Sequence, residues 1–552
     1  MIKFKRTYTT FIVILLVIFT LSIFHYGYEL IFSSPIDDEL DFRLLSKIFR
    51  EVKNKYVEEI KESKLIKSGI DAILGELDPY TTFYGKSRAS QLKSITTGKY
   101  GGIGSYVTMI EGEFTIVSPT EDSPAKEAGI RPGDVVVKVD GIDTKGLKID
   151  EITNMIKGKP GTKVKLTIKR EGVLGTLDFA ITRRNIRVKD IPYCKMMDNN
   201  IGYIKLSHFS KNVSGELVRT IQEFQKSGLN GLILDLRGNP GGLLISAISV
   251  VDLFVKKGEL IVSTKGRNNK FNSVHRSKKN PIYYDKPLIV IVDDVSASAS
   301  EILAGAIQDL DRGIIIGRKT FGKGLVQTIF YPTPETALKI TTARYYTPSG
   351  RCIDGTKISS DEEIDDKENV YYTKAGRIVS GSGGITPDIV VSNDNNFISE
   401  LLDQLKFLKF AISYANKHPN LQKVEIDNEI LDQFKEFVIQ SRFKTKESGF
   451  KEIEKLEEIG IKKNYGTEFE NYIKKLKKIT IEKNRYDFAF SDPFIVYSLK
   501  KEINWVIGGE IAKIESTIDD DVDLKEAVRI LSDPDKYNQL LKDIHISKGS
   551  MN

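Results

Sequence analysis

Leu234-Asp-Leu-Arg-Gly-Asn-Pro-Gly-Gly242 and Val292-Asp-Asp-Val-Ser-Ala-Ser-Ala-Ser-Glu301 decide the reading of this 552-residue chain. Each closes a short apolar run, Gly231–Leu236 and Pro287–Asp293, with no alternation of polar and apolar residues. Runs of that kind read as strands buried on both faces. Each then passes into residues at helical spacing, Gly241–Phe254 and Ala299–Leu310. Upstream, Ile201–Ser207 reads as a strand and Asn212–Ser227 as a helix. Downstream, strands are expected around Ile314, Val326–Phe330 and Ala337–Tyr345. The alternation predicts an α/β core over residues 186–394, a layered sheet with helices on its faces.

The two junctions are also where chemistry is expected. Glycines let the backbone turn sharply and approach a ligand closely. The helix starts that follow offer unpaired N–H groups and positive potential to a developing oxyanion. Small residues around Ser298 leave room for a substrate backbone, and Ala299 N–H is aimed at the same spot. A serine hydroxyl needs a base, and none of the five histidines lies near either junction in sequence. Lys323, between Gly322 and Gly324 and ahead of an apolar strand, suits a lysine held against a buried wall. To accept a proton it must be neutral, so its pKa has to fall from about 10.4 to roughly 7 or 8. Gln327, four residues on, shares a strand face with Lys323 and could orient either it or Ser298. Asp309 lies nearly three helical turns from Ser298, roughly 16 Å along the axis, too far to touch reacting atoms.

From residue 94 to 185 the pattern is short strands and glycine turns, and Ser123-Pro-Ala-Lys-Glu-Ala-Gly-Ile-Arg-Pro-Gly-Asp134 is its most specific string. Tyr100-Gly-Gly-Ile-Gly104 precedes a strand Ser105–Met109; strands Thr115–Ser118, Val135–Val139 and Lys163–Lys169 and a helix Ile149–Lys157 follow. This order resembles a PDZ domain. The resemblance implies that a loop over Gly101, Gly102, Ile103 and Gly104 offers backbone N–H groups to a terminal carboxylate, while the peptide adds a strand to a sheet edge.

Residues 36–93 read as a helical lead-in. Ahead of them, Lys3, Lys5 and Arg6 precede 22 residues without a formal charge, Thr7–Tyr28. At about 1.5 Å per residue that stretch reaches roughly 33 Å, enough to cross a membrane core. The basic flank predicts a single-pass anchor over residues 1–35, with everything after Glu29 outside the cytoplasm. No small-x-small site follows the apolar run, which favours an uncleaved anchor over a removed signal peptide. Residues 395–552 are rich in lysine and glutamate and read as helices forming an interaction or homo-oligomerisation module. The net charge of +7, spread over the chain, argues for solubility rather than nucleic-acid binding. Cys194 and Cys352 read as small buried groups; with five scattered histidines they form no metal-ligand spacing, so no metal or other cofactor is expected.

Asp-Leu-Arg-Gly-Asn-Pro-Gly-Gly, Ser-Ala-Ser-Ala-Ser-Glu-Ile, Thr-Phe-Gly-Lys-Gly-x-Val-Gln and Gly384-Ile-Thr-Pro-Asp388 together resemble the C-terminal processing (tail-specific) serine peptidases. The PDZ-like segment and the turn Leu-Asp78-Pro-Tyr80 belong to the same resemblance, which covers roughly residues 40–391. It implies a multidomain α+β chain with a crotonase-like core and a Ser–Lys dyad. Ser298 would be the nucleophile, Lys323 the base and Gln327 its partner, with an oxyanion hole of N–H groups near Gly241 and at Ala299. It further implies an exported bacterial enzyme that cuts polypeptides near free C-termini. Two features depart from the family: about 30 residues between Arg351 and Gly384, several of them acidic, and the long helical tail. A catalytically dead PDZ scaffold at the membrane is the alternative, and retention of both Ser298 and Lys323 speaks against it. A penicillin-binding type of acyl-transfer enzyme would need Ser-x-x-Lys with Ser-x-Asn and Lys-Thr-Gly partners in a matching fold, a context missing here.

Overall fold

The computed structural model describes residues 36–85, 99–355, 370–381, 383–391, 396–441, 443, 450–486 and 493–542. It divides into two units, residues 1–79 and 80–552. The smaller holds two helices, Ile36–Lys55 and Glu62–Gly75, with Lys53 Nζ 2.8 Å from Glu62 Oε1. The expected membrane anchor lies outside the described residues; among the described residues no helix is long and apolar enough to cross a membrane.

In the larger unit, six strands form the central sheet in the order Tyr193–Met197, Ile201–Lys205, Gly231–Asp235, Leu288–Val292, Ile314–Gly317 and Ile389–Val390. The first pair is antiparallel and the others parallel. Every residue of the four middle strands is buried because both faces are covered. Ile204, Leu232, Leu234, Leu288, Val290, Val292 and Ile315 face the helices Val213–Lys226, Leu244–Val251 and Ala299–Asp309. Ile201, Tyr203, Ile233, Ile289, Ile291, Ile314 and Ile316 point the other way, onto Leu524, Ala527, Ile530, Leu531 and Tyr537. Each such side chain contributes about 1.5–3 kcal/mol on burial, so neither layer is optional.

That second layer comes from the helical C-terminal region. Helices Val522–Leu531 and Pro534–Lys542 are the outer wall of the central sheet, and Leu288 N–H donates to the Tyr537 hydroxyl at 3.0 Å. The earlier helices Lys406–Lys417, Asn428–Gln440 and Pro493–Thr517 share a core with Val117 of the PDZ-like domain.

A second sheet carries Leu325–Thr333, Thr336–Tyr346, Leu260–Lys265, Ser273–Arg276 and Thr82–Tyr84. The last of these corrects the helical reading of residues 36–93: Phe83 pairs with Leu338, so the lead-in ends as a strand of the core. Between Arg351 and Gly384 the described residues form a small hairpin, Tyr371–Tyr372 with Ile378–Val379. The PDZ-like domain has its own antiparallel sheet, Ser105–Ile110, Glu113–Pro119, Val135–Val139, Lys163–Lys169 and Leu177–Thr182, and helix Ile149–Ile156. Cys352 is buried as expected, but Cys194 is exposed.

Candidate active site

The three serines of the run 296–300 have different surroundings. Ser296 and Ser300 are fully buried, and their hydroxyls donate to Leu236 O and Asn239 O, both at 2.9 Å. They bolt the second strand-to-helix turn to the first. Ser298 lies between them, partly exposed, at the start of helix Ala299–Asp309. Its φ of 55° with ψ of −109° is a conformation a residue with a side chain rarely adopts. The strain is held by its N–H, which donates to Glu301 Oε2 at 2.7 Å, and by its carbonyl, which accepts from the buried Tyr345 hydroxyl at 3.3 Å.

Gly241 presses against this turn. A methyl group there would stand 3.0 Å from Ser298 Cβ, 2.9 Å from Ala299 N and 2.7 Å from Ala297 O. Only glycine permits that approach, and its φ of 102° adds a second reason. The Gly241 N–H, however, donates to Asn239 Oδ1 at 2.9 Å. The expectation of Gly241 as an oxyanion donor is thereby corrected: the side chain two residues back has taken its proton, and the glycine serves for space. Ala299 N–H and Gly242 N–H make no hydrogen bond among the described residues. The Gly241 carbonyl accepts from Phe209 N–H at 3.1 Å, and in a planar trans peptide the Gly242 N–H points the opposite way.

Glu301 joins the backbones of Ser298 and Lys323, and its position in the sequence did not single it out. It is fully buried, and burial raises its pKa although four hydrogen bonds favour the carboxylate. Oε1 accepts from the Thr320 hydroxyl at 2.6 Å and Gly322 N–H at 2.7 Å; Oε2 accepts from Ser298 N–H at 2.7 Å and Lys323 N–H at 2.9 Å. The backbone nitrogens of Ser298 and Lys323 therefore stand at most about 5.6 Å apart, the two bonds to Oε2 laid end to end. Gly384 and Ile385 lock the lysine loop from its other side: Ile385 N–H donates to Thr320 Oγ1 at 2.7 Å. Asp388 in turn accepts from Ile315 N–H and the Arg377 guanidinium.

Lys323 is partly buried, its Nζ 3.1 Å from Gln327 Oε1 and 4.4 Å from the centre of the Tyr80 ring. The expected pairing of Lys323 with Gln327 is present, and Tyr80 is the added partner. Gln327 Nε2 is buried with no partner among the described residues, a donor left over in the cleft. Asp309 serves structure, as expected from its distance: it is buried, and its carboxylate meets Arg351 at 2.6 Å.

In the PDZ-like domain Gly101 and Gly102 are residues of a strand paired with Asn185 and Arg184. A methyl group on Gly101 would meet Gly158 O at 1.9 Å, so that glycine answers to packing. Ile103 and Gly104 carry the loop itself: their carbonyls accept from Ala125 and Thr120, and their N–H groups make no hydrogen bond among the described residues.

Comparison with known proteins covers each of these regions. The profile of peptidase family S41 matches residues 200–364, a PDZ domain residues 115–170, and the C-terminal helical domain of a probable PDZ-protease residues 397–531. A carboxy-terminal-processing protease of Bartonella bacilliformis is 43% identical over 57% of this chain and 73% of its own length. The carboxy-terminal processing protease CtpA of Bacillus subtilis is 37% identical over 61% of this chain and 72% of its own. A solved structure described as photosystem II D1 C-terminal processing protease aligns at 27% identity over 64% of this chain and 93% of that one, with a TM-score of 0.39.

Proposed function

The chain belongs to peptidase family S41 and is a serine-type C-terminal processing peptidase; on that premise we propose that Ser298 is its nucleophile and Lys323 its general base. The observation that carries this is the single carboxylate oxygen of Glu301, which holds the backbone of both residues at once. The neutral amine of Lys323 takes the Ser298 hydroxyl proton as the hydroxyl attacks the scissile carbonyl, and then delivers it to the leaving amine. Gln327 Oε1 fixes the amine, and the Tyr80 ring forms one wall around it. Ala299 N–H, with Gly242 N–H in place of Gly241, receives the oxyanion. Water then releases the acyl-enzyme.

The free N–H groups of Ile103 and Gly104 support capture of a substrate's terminal carboxylate by the PDZ-like domain. The basic start and the uncharged stretch over residues 7–28 support a membrane anchor, with exported polypeptides as substrates.

The test is cleavage of an unstructured protein by the full chain, Ser298→Ala and Lys323→Ala. Each substitution is expected to reduce turnover by at least about 10³-fold, as in other dyads and triads whose members act as a unit. Cleavage that survives Ser298→Ala ends the nucleophile assignment. Loss on Ser298→Ala with retention on Lys323→Ala ends the base assignment alone.

A further inference from the structure

The net charge of +7 has one source. Of the 82 Lys and Arg and the 75 Asp and Glu in the chain, eight cations and one acid fall between residues 256 and 279, which leaves 74 of each sign elsewhere. The even spread expected for this charge is thereby corrected: the rest of the chain is neutral in sum. The stretch is the hairpin of Leu260–Lys265 with Ser273–Arg276, together with its flanks. Ser273–Arg276 is the outermost strand of the second sheet and pairs on one side only among the described residues.

All eight cations are exposed, and none forms an ion pair among the described residues. The acids at hand are engaged elsewhere. Glu259, the one acid of the stretch, meets Lys374 at 2.5 Å. Asp252, just ahead of it, accepts from the Ser277 hydroxyl and from the N–H groups of Lys278 and Lys279.

Strand register gathers part of this charge on one face. Lys265 stands directly opposite Arg344, and Ser263 opposite both Val274 and Tyr346. Side chains two apart share a face, so Lys265, Arg276, Arg344, Val274 and Tyr346 lie together. Like charges directly opposite one another destabilise a sheet. Asp354 lies 3.7 Å from Arg344, and no carboxylate reaches Lys265 among the described residues. An anionic partner covering the face relieves that repulsion.

The apolar part of the face decides which partner. Val274, in the outermost strand, is 64% exposed. Lys265 Nζ lies 4.8 Å from the centre of the Tyr346 ring, and Lys256 Nζ 5.0 Å from that of Tyr284, itself 37% exposed. Lysine stems over tyrosine rings around an exposed valine suit a lipid headgroup layer, where such side chains bury an apolar body and keep the polar tip in water. The membrane anchor proposed above adds a tether, so that a second, weak contact with the same bilayer becomes intramolecular. It also sets this face outside the cytoplasm, away from nucleic acid.

We infer that the hairpin over residues 260–276 is a membrane-surface contact, its cations resting on anionic lipid headgroups. The inference takes its orientation from the proposed anchor and is independent of the Ser298 and Lys323 chemistry.

The test adds lipid discs of phosphatidylcholine, alone or with phosphatidylglycerol, to the full chain and follows acylation of its lysines by a water-soluble reagent. At about 0.1 M salt, Lys256, Lys265 and Lys270 are expected to react about fivefold more slowly with the anionic discs, relative to Lys163 of the PDZ-like domain; that is the gain for one cation at such a surface. At about 1 M salt, where the screening length falls from about 10 to about 3 Å, the difference should vanish. Combining Lys265→Glu, Arg267→Glu and Lys270→Glu is expected to remove it at Lys256 as well. Equal rates with the two discs overturn the proposal, as does a difference that survives high salt. A DNA duplex that slows these lysines more than the anionic bilayer does overturns it in favour of a nucleic-acid face. If the substituted chain does not fold, the salt series on the unsubstituted chain decides. Entry into neutral discs and cleavage are scored separately: failure of the first counts against the anchor, and failure of the second against the catalytic reading.

Discussion

Glu301 and Asp235 are both buried carboxylates within a few residues of the two strand-to-helix turns, and they are satisfied in opposite ways. The hydrogen-bond partners of Glu301 are four dipoles, three backbone N–H groups and a hydroxyl. Burial therefore prevails and raises its pKa. Asp235 meets Lys205 at 3.0 Å and Arg237 at 2.7 Å, and accepts from the Tyr203 hydroxyl at 2.8 Å. Burial pushes this carboxyl up as well, but the two cations outweigh it and hold it far below the usual carboxylate range. The difference follows the task. Dipoles fix two loops at short range without adding a side-chain cation beside the Lys323 amine. The charges reach further: Arg237 continues to Asp521 at 2.8 Å and Asp523 at 2.9 Å, and so ties the helical domain to the core.

The largest effect should come from breaking the dipole hub. All four groups around Glu301 are donors, so a glutamine, which presents an amide NH₂ where an oxygen stood, is no conservative replacement. Glu301→Gln and Glu301→Ala are both expected to lower kcat by about 10²-fold or more, since a displacement near 1 Å in a catalytic pair has that consequence. A Glu301→Gln enzyme with kcat within a few-fold of the parent would show that the carboxylate is dispensable for the dyad.

Arg237→Met should act on the other hub and chiefly on stability. It strands Asp521 and Asp523 at the domain junction, while Asp235 keeps Lys205, at a cost of about 3–5 kcal/mol for breaking buried pairs. Denaturant unfolding is expected to split into two transitions, with the helical domain leaving first. Adding Asp521→Asn and Asp523→Asn should restore part of the loss, because the uncompensated charges go with them. One unchanged transition in the single variant would mean that apolar packing alone docks the domain.

The contrast also explains what the sequence made legible. The core strands could be read from their runs because a strand covered on both faces needs apolar residues throughout, as in Leu288–Val292. Lys323 and Gln327 could be paired because four residues separate them. Glu301 was inside a quoted motif and still missed: at the third position of a helix a glutamate reads as a capping residue. Its charge among the apolar and small residues that begin the helix Ala299–Asp309, which is buried throughout, was the available signal. Its partners Gly322 and Lys323 lie a loop away, where periodicity carries no information. Gly241 was misjudged for a local reason, since Asn239 ahead of Pro-Gly is an Asx-turn former whose side chain captures the N–H two residues on. The tail's helices could be read from their amphipathic pattern. Their seat against the sheet could not, because it depends on contacts such as Tyr537 with Leu288 across 249 residues.

Acid should separate the two hubs by a smaller, reversible effect. Glu301 has a raised pKa in the folded state, so protonation of this group favours the fold; its contribution is complete below the unfolded value and fades as pH rises through the folded one. Asp521 is the reverse. Burial raises its carboxyl, but Arg237 outweighs that and leaves it lowered, so its contribution is complete above about pH 4 and fades only as pH falls further. On acidification Glu301 therefore takes its proton first, onto an oxygen that already accepts two hydrogen bonds. Near pH 4.5 amide exchange at Gly322 and Lys323, relative to the intrinsic rate, is expected to rise several-fold. The fluorescence of Trp505, the one tryptophan of the chain, should stay native there, since its ring packs on Tyr106 at 5.9 Å and reports the helical domain's seat on the PDZ-like domain. Changes in both signals at one pH would mean that the two carboxylates belong to a single cooperative unit.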